Sequence, residues 1–339
     1  MPDDSFDYFP IRDLDRALIL DFAQRTWGED VATEVRSKWW LTSDHADATA
    51  AIDRASGAIA GMVVAVPSRW PRDGGREVRT VSICGWYVAP DFAGRGLGKL
   101  LVRSFDERAP GQNALSISDA AIRNFGKLGW TGPFRTQLLL LPLPMLRRAP
   151  KAGAMTVRSF TVRGDALDDE LAAALDRIEA GRPEDQLRRR RGAAEWRAHL
   201  SVRPTRVQHF HVLSGGGEPV GYFVIRATDA EAGRLYRRAR LHYVTDIVLN
   251  RRDEAAIDRL VASIAAASPR GAGALLLCTS DAQFGAAARR LGWLSKASLG
   301  IGPRLAAKAP LYMLGGELAA LPGGGVQMSF ADSDVDFNI

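Results

Sequence analysis

Apolar positions along this chain switch repeatedly between two periods. Phe9-Pro10-Ile11-Arg12 reads as an opening strand; Leu14, Ala17, Leu18 and Phe22 then recur at helical spacing and predict an amphipathic helix up to Trp27-Gly28. Thr49 to Ala55 and Ile59 to Val66 predict two strands across the Ser56-Gly57 turn. Val81, Ile83, Trp86 and Val88 are the β-branched and aromatic residues of a buried strand, which stops at Ala89-Pro90 where an N–H is missing. Helical spacing returns over Lys99 to Phe105. Ala114 to Ser118 reads as a short strand and Asp119 to Lys127 as a helix, closed by Leu128-Gly129-Trp130 through a glycine C-cap.

The second half repeats the pattern in worn form. Gln208 to Leu213 and Val220 to Ala227 form a strand pair around Gly215-Gly216-Gly217, and Leu241 to Asn250 matches the Val81 strand. Ala274 to Cys278 is a further strand. Ser280-Asp281-Ala282 through Arg290-Leu291-Gly292-Trp293 echoes Ser118-Asp119-Ala120 through Lys127-Leu128-Gly129-Trp130 at nearly equal separation, which implies a tandem duplication. Pro142 to Gly153, rich in proline and basic residues, interrupts the regular elements between the copies.

Between the Val81 strand and its helix lies Gly94-Arg95-Gly96-Leu97-Gly98. Glycines there let successive backbone N–H groups face an oxyanion, with the helix dipole behind them; a purely structural turn is the plain alternative. The strict alternation departs from the dinucleotide fingerprint, and Gly98-Lys99-Leu100 lacks the hydroxyl of a nucleotide triphosphate loop.

Strand, Gly-x-Gly-x-Gly, helix, strand, then a helix ending Lys-Leu-Gly-Trp resembles the GNAT superfamily of acyl-CoA-dependent N-acyltransferases. The likeness is strongest from Val81 to about Phe134. It implies an α/β fold of the mixed-sheet kind: two tandem GNAT-like domains, each a twisted, mostly antiparallel sheet flanked by helices. These would span 1–146 and 154–317, with a linker at 147–153 and a tail at 318–339. It further implies that acetyl-CoA or another acyl-CoA seats its pyrophosphate on Gly94, Arg95, Gly96, Leu97, Gly98 and Lys99, with Tyr87 and Val88 along the pantetheine. Ala93 stands where the family usually has Gln or Arg. The family's later helical pattern falls on Ser118, Ala121, Asn124 and Phe125, so Phe125 occupies the place of the tyrosine that often reprotonates the thiolate, and a phenyl ring donates no proton. In the second copy the helix opens with Asp253 and Glu254 in place of glycines, which would repel a pyrophosphate.

In the family a neutral amine attacks the thioester directly, so a base or water must first take its proton. Ser82, Cys84 and Trp86 line the strand without a carboxylate. Candidates for the catalytic groups are therefore His45, Cys84, Asp246 and the tail aspartates, Asp334 among them. Trp39, Trp40 and Trp86 are candidates to wall the acceptor pocket, against the plain reading of tryptophans as core.

Composition adjusts this picture only slightly. Net charge of +6 and a pI near 9.6 raise the question of nucleic acid. The densest basic run, Arg188 to Arg191, has no interleaved aromatic residue and reads as a solvated face; an anionic acceptor such as a nucleotide-linked sugar is the sharper option. The run can also be read as a docking site for a carrier protein. Two cysteines, Cys84 and Cys278, on separate strands read as thiols, and no metal-ligand cluster is evident. No apolar run is long enough to span a bilayer and the start is unlike a signal peptide, which predicts a cytoplasmic protein, monomeric or homodimeric. The expected partner is a small-molecule amine, with an amino sugar of a surface polysaccharide pathway as the specific suggestion. A silent acyl-CoA sensor or scaffold, and O-acylation, are the alternatives. Val326 to Phe330 is expected to pair as a last strand.

Overall fold

The computed structural model describes residues 5–27, 46–71, 76–115, 117–142, 155–201, 207–227, 241–268, 272–295, 311–321 and 326–329. The first half contains β1 (Phe6–Pro10), α1 (Arg16–Trp27), β2 (Asp47–Asp53), β3 (Ile59–Pro71), β4 (Glu77–Val88), α2 (Leu97–Arg103), β5 (Gly111–Leu115), α3 (Asp119–Lys127), β6 (Thr131–Arg135) and β7 (Gln137–Pro142). Then follow β8 (Thr156–Arg163), α4 (Asp169–Ala180), α5 (Ala193–Ser201), β9 (Val207–Gly215), β10 (Glu218–Ala227), β11 (Leu241–Leu249), α6 (Glu254–Ala266), β12 (Ala274–Thr279), α7 (Ala282–Arg290), β13 (Leu294–Ser295) and β14 (Leu311–Gly316).

Two seven-stranded mixed sheets result, ordered β1-β2-β3-β4-β5-β14-β6 and β13-β7-β12-β11-β10-β9-β8. Each includes a short parallel pairing: Thr80–Ile83 beside Gly111–Ala114 in the first, Leu241–Val244 beside Ala274–Leu277 in the second. A helix links the two parallel strands in each case, α2 in one and α6 in the other, as a parallel crossover requires. Each sheet also takes one strand from the other half of the sequence, β14 in the first and β7 in the second. The compact units are accordingly interleaved: Met1–Trp70, Gly75–Gly132 and Met313–Leu321 form one, and Pro71–Gly74, Pro133–Tyr312 and Pro322–Ile339 the other. End-to-end domains divided at 146 and 154 do not describe this arrangement, because a strand from beyond each expected boundary completes the opposite sheet.

In the first unit Val81 and Ile83 pack with Leu97, Leu101, Val102 and Phe105 of α2 and its following turn. Burying one such leucine stabilises by about 2 kcal/mol. In the second unit alternate strand residues feed two cores. Phe223 and Ile225 pack with Ile257, Leu260 and Phe284, while Tyr222 and Val224 pack with Leu171, Leu175 and Trp196. Period-two alternation between two covered faces explains why β10 reads as a continuous apolar run.

Local signals account for the helix ends. Ser118 caps α3 by accepting from the Ala121 amide at 3.2 Å, and Gly129 at φ +82 follows its last turn. Asp253 and Asp281 cap α6 and α7 in the same way. Two strands are displaced from expectation. β1 ends at Pro10 and Ile11–Asp13 form a 3-10 turn; β5 runs three residues earlier than Ala114–Ser118, its buried Gln112 and Asn113 concealing the apolar pattern. The expected last strand is reduced to two isolated bridges, Val326 with Leu187 and Ser329 with Thr279; Phe330 lies outside the described residues.

Candidate functional site

In the first unit β4 and β5 pair over four residues and then part, leaving Cys84 to Val88 beyond the last paired position. Immediately after β4, Pro90–Phe92 make one 3-10 turn and the chain enters the glycine loop. Gly94 and Gly96 have φ of +82 and +77, and a Cβ at either would meet nothing within 4 Å. The loop is thus left-handed at both positions and open above them, a backbone that L side chains adopt only under strain. The amides of Lys99 and Leu100 turn back to the Gly96 carbonyl at 3.0 and 3.3 Å. Those of Gly94, Gly96, Leu97 and Gly98 meet no acceptor among the described residues. Four donors beside a strand divergence fit a diphosphate better than a self-satisfied turn.

Side chains fix this loop from below. Leu97 is buried in the core, and the Arg95 guanidinium lies over the rings of Phe6 and Phe92 at 4.7 and 5.5 Å. Gly98 sits in close contact: a Cβ there would stand 3.0 Å from the Trp86 indole. Tyr87 and Val88 are half-buried, Lys99 is exposed, and the Cys84 thiol donates to the Val64 carbonyl at 3.5 Å.

Other expected site residues have different surroundings. Phe125, 1% exposed, lies in an aromatic column with ring centroids 4.9 Å from Trp86 and 4.1 Å from Trp130. It is core, and Trp86 belongs to the same column. Ser118 serves as the cap of α3, and Asn124 is exposed on that helix. Trp39, Trp40, His45 and Asp334 lie outside the described residues. A buried polar pair that sequence reasoning missed sits at the last stretch of strand pairing: Ser82 Oγ donates to Asn113 Oδ1 at 2.9 Å, while Gln112 donates to Asp106 at 2.7 Å. The only trace in the sequence was Gln-Asn inside a segment otherwise fit for a strand.

Residues 14–130 match the model of the acetyltransferase (GNAT) family. That stretch of the chain is similar to a GNAT acetyltransferase domain. No curated protein matches the sequence. Among solved structures, a probable N-acyltransferase of unknown function from Enterococcus faecalis V583 is similar at 12% identity and a TM-score of 0.56, over 91% of this chain and 71% of that one. A GCN5-related N-acetyltransferase from Anabaena variabilis ATCC 29413 gives 13% and 0.53, over 91% and 72%. A GCN5-related glucosamine N-acetyltransferase region of a fungal multi-domain β-N-acetylglucosaminidase gives 13% and 0.55, over 91% and 38%. These likenesses extend the GNAT-like fold over both units, as tandem copies.

The second GNAT-like unit has a divergence of the same kind with different contents. β11 and β12 part after Val244 and Leu277, and residues 326–329 lie across the gap. The Gln327 amide donates to the Leu187 carbonyl at 2.8 Å, the Ser280 amide to the Met328 carbonyl at 3.1 Å, and Ser329 Oγ to Asp246 Oδ1 at 2.8 Å. Asp246 is 2% exposed and also accepts from Tyr222 at 2.8 Å, with Arg191 Nε 2.8 Å away. Burial and the Asp246 charge push the Tyr222 hydroxyl well above its ordinary range, so it stays a donor. A carboxylate so engaged is a structural acceptor, which removes Asp246 from the candidate bases. The arginine run is likewise no solvated face. Arg188, Arg189 and Arg191 are buried, and Arg188 pairs with Glu179 at 2.7 Å. The sequence pattern of four consecutive arginines conceals this, because their carboxylate partners are supplied from α4 and β11.

Among the described residues no three histidines, cysteines or carboxylates gather to hold a metal, and no helix is long and apolar enough to cross a membrane. Cys84 and Cys278 are not joined in a disulfide.

Proposed function

We propose that this protein is an acyl-CoA-dependent N-acyltransferase, transferring an acetyl group to a primary amine on a small molecule. The observation that carries the reading is the set of open amides at Gly94, Gly96, Leu97 and Gly98 beside the parting of β4 and β5, inside the region matched to the acetyltransferase family. The GNAT family generally uses acyl-CoA as co-substrate. Acyl-CoA would supply the thioester, whose carbonyl carbon bonds to the amine nitrogen as the C–S bond breaks.

The residues present fit that co-substrate. The four amides hold the diphosphate, and the stretch of β4 at Tyr87 and Val88, past its last pairing with β5, aligns the pantetheine amides by main-chain hydrogen bonds. A carbonyl polarised by a β4 amide needs no side chain for its oxyanion. Ser82 and Asn113 fix the point at which the strands part. The described residues at the divergence offer the Cys84 thiol and the Tyr87 hydroxyl and no carboxylate, so the ammonium proton leaves through His45, Asp334 or water, and the departing thiolate takes up a proton from Tyr87 or solvent.

An amino sugar heads the list of acceptors, since one neighbour in fold is described as a glucosamine N-acetyltransferase region. Release of free thiol from acetyl-CoA with glucosamine and a panel of primary amines tests the reading. Turnover above the hydrolysis background, lost in Gly96→Glu, is expected; no turnover with any amine despite tight acyl-CoA binding sinks it. That last result would favour a silent acyl-CoA sensor, the reading to which the buried Phe125 in place of a family tyrosine points.

A further inference from the structure

We propose that Ser82 receives the acceptor amine by accepting a hydrogen bond from its N–H, and that Asn113 positions the Ser82 oxygen for that contact. This rests on the reading of the first unit as an N-acyltransferase. Val81 and Ile83 pack in the core with α2, and Trp86 and Val88 pack against the same core. Strict alternation would leave one residue between successive core positions, but two, Cys84 and Gly85, separate Ile83 from Trp86. β4 therefore shifts by one residue immediately past its last pairing with β5. The helix-covered face of the divergence is filled with apolar side chains. Thr80 and Ser82 belong to the other face, so an amine reaches the parting strands from that side.

The hydroxyls on that face are not equivalent. Thr80, 1% exposed, is bonded to Ser68 at 2.6 Å. Ser82, 6% exposed, gives its hydrogen to Asn113 Oδ1 at 2.9 Å, and among the described residues nothing donates to its oxygen. A hydroxyl has one hydrogen and two lone pairs, so the oxygen is left as an acceptor. Asn113 is 1% exposed and its Nδ2 meets no partner, so its side chain is committed to Ser82 alone. An apolar pair would join the strands at no greater cost; this polar pair instead leaves a fixed acceptor one residue short of the parting. The arrangement suits a primary amine. One N–H stays on Ser82 throughout, the lone pair attacks the thioester carbonyl, and the other N–H loses its proton after attack. Ser82 takes up no proton itself, so proton removal stays with the groups named for it above.

The test compares full-length wild type with variants, using acetyl-CoA, the primary amine of the panel that turns over fastest, and the N-methyl derivative of that amine. Ser82→Ala is expected to raise KM for the primary amine roughly tenfold and to narrow its advantage over the N-methyl derivative. Acetyl-CoA binding by native mass spectrometry and the pH profile of kcat should stay as in wild type. Ser82→Thr, which keeps the hydroxyl, should recover most of the loss, and Asn113→Leu, which frees the hydroxyl to turn, should raise KM to a lesser extent. An unchanged KM in Ser82→Ala or in Asn113→Leu, an equal loss for both amines, or a loss that Ser82→Thr does not recover overturns the assignment while acyl transfer itself stands. No turnover of any amine by wild type overturns the reading of the unit and this contact with it. Should Ser82→Ala fail to fold, the double variant Ser82→Ala, Asn113→Leu, in which neither partner is left unmet, is judged by the same ratio of the two amines.

Discussion

The two units repeat one topology and spend it differently. In the first, the parting of β4 and β5 is flanked by left-handed glycines and open amides, and the strands meet through the polar pair Ser82 and Asn113. In the second, the corresponding pairing carries Tyr243 and Leu276, Asp253 caps the following helix, and residues 326–329 bridge the gap. A duplicated fold can retain a cleft in one copy and convert it in the other into a charged, hydrogen-bonded seam. What distinguishes them is whether the backbone donors at the divergence are left open or consumed by the chain itself.

The sharpest break of this comparison is expected at the seam. Asp246→Ala leaves the Arg191 guanidinium buried without its carboxylate and should cost about 3–5 kcal/mol in urea unfolding. In the first unit Ser82→Ala removes one hydrogen bond and should cost only about 1 kcal/mol. Equal costs would mean that the two divergences are not held by different means.

Acid should separate the units next. All histidines among the described residues, His199, His209, His211 and His242, lie in the second unit. Burial, then the charge of His209, pushes His211 from 6.5 down to about 4, and His209 and His242 are lowered too, chiefly by burial. The unfolded chain therefore takes up these protons first, so stability is complete above about pH 6.5 and drains as pH falls towards 4. For His211 the loss is at most about 3 kcal/mol. His211→Phe should flatten the pH dependence of unfolding between those limits; an unchanged slope would show that this imidazole is not the sensor.

Smaller effects sharpen the contrast at the glycine loop. Gly98→Ala forces the Trp86 indole to give way by a few tenths of an ångström, and should lower stability by about 1 kcal/mol and weaken acyl-CoA binding several-fold. Asp253→Gly, which removes the acidic cap in the second unit at a cost of only a few tenths of a kcal/mol, should create no second binding site because the tail still fills the divergence. A second equivalent of bound CoA in that variant would contradict the role given to residues 326–329.

Much of this was legible in the sequence. α3 has the bounds its cap and glycine stop predict, and the echo between Ser118 to Trp130 and Ser280 to Trp293 marks the duplication. Long-range exchange was not legible. β14 and β7 look like ordinary apolar stretches, and nothing local tells which sheet an apolar strand joins. The arginine run misled for a related reason: burial of a charge depends on a partner distant in sequence, here Glu179 for Arg188 and Asp246 for Arg191. Phe125 looked like a departure at a catalytic position because the family pattern names the position; the aromatic column explains why a phenyl ring suits it.

The central claim is that one divergence per chain is open to acyl-CoA. Native mass spectrometry of wild type and Gly96→Glu with acetyl-CoA tests it directly, since a glutamate at φ +77 both strains the loop and sets a carboxylate against the diphosphate. The account predicts one acetyl-CoA per wild-type chain and binding weakened at least about 100-fold in the variant; two equivalents per chain, or one that survives the substitution, would contradict it.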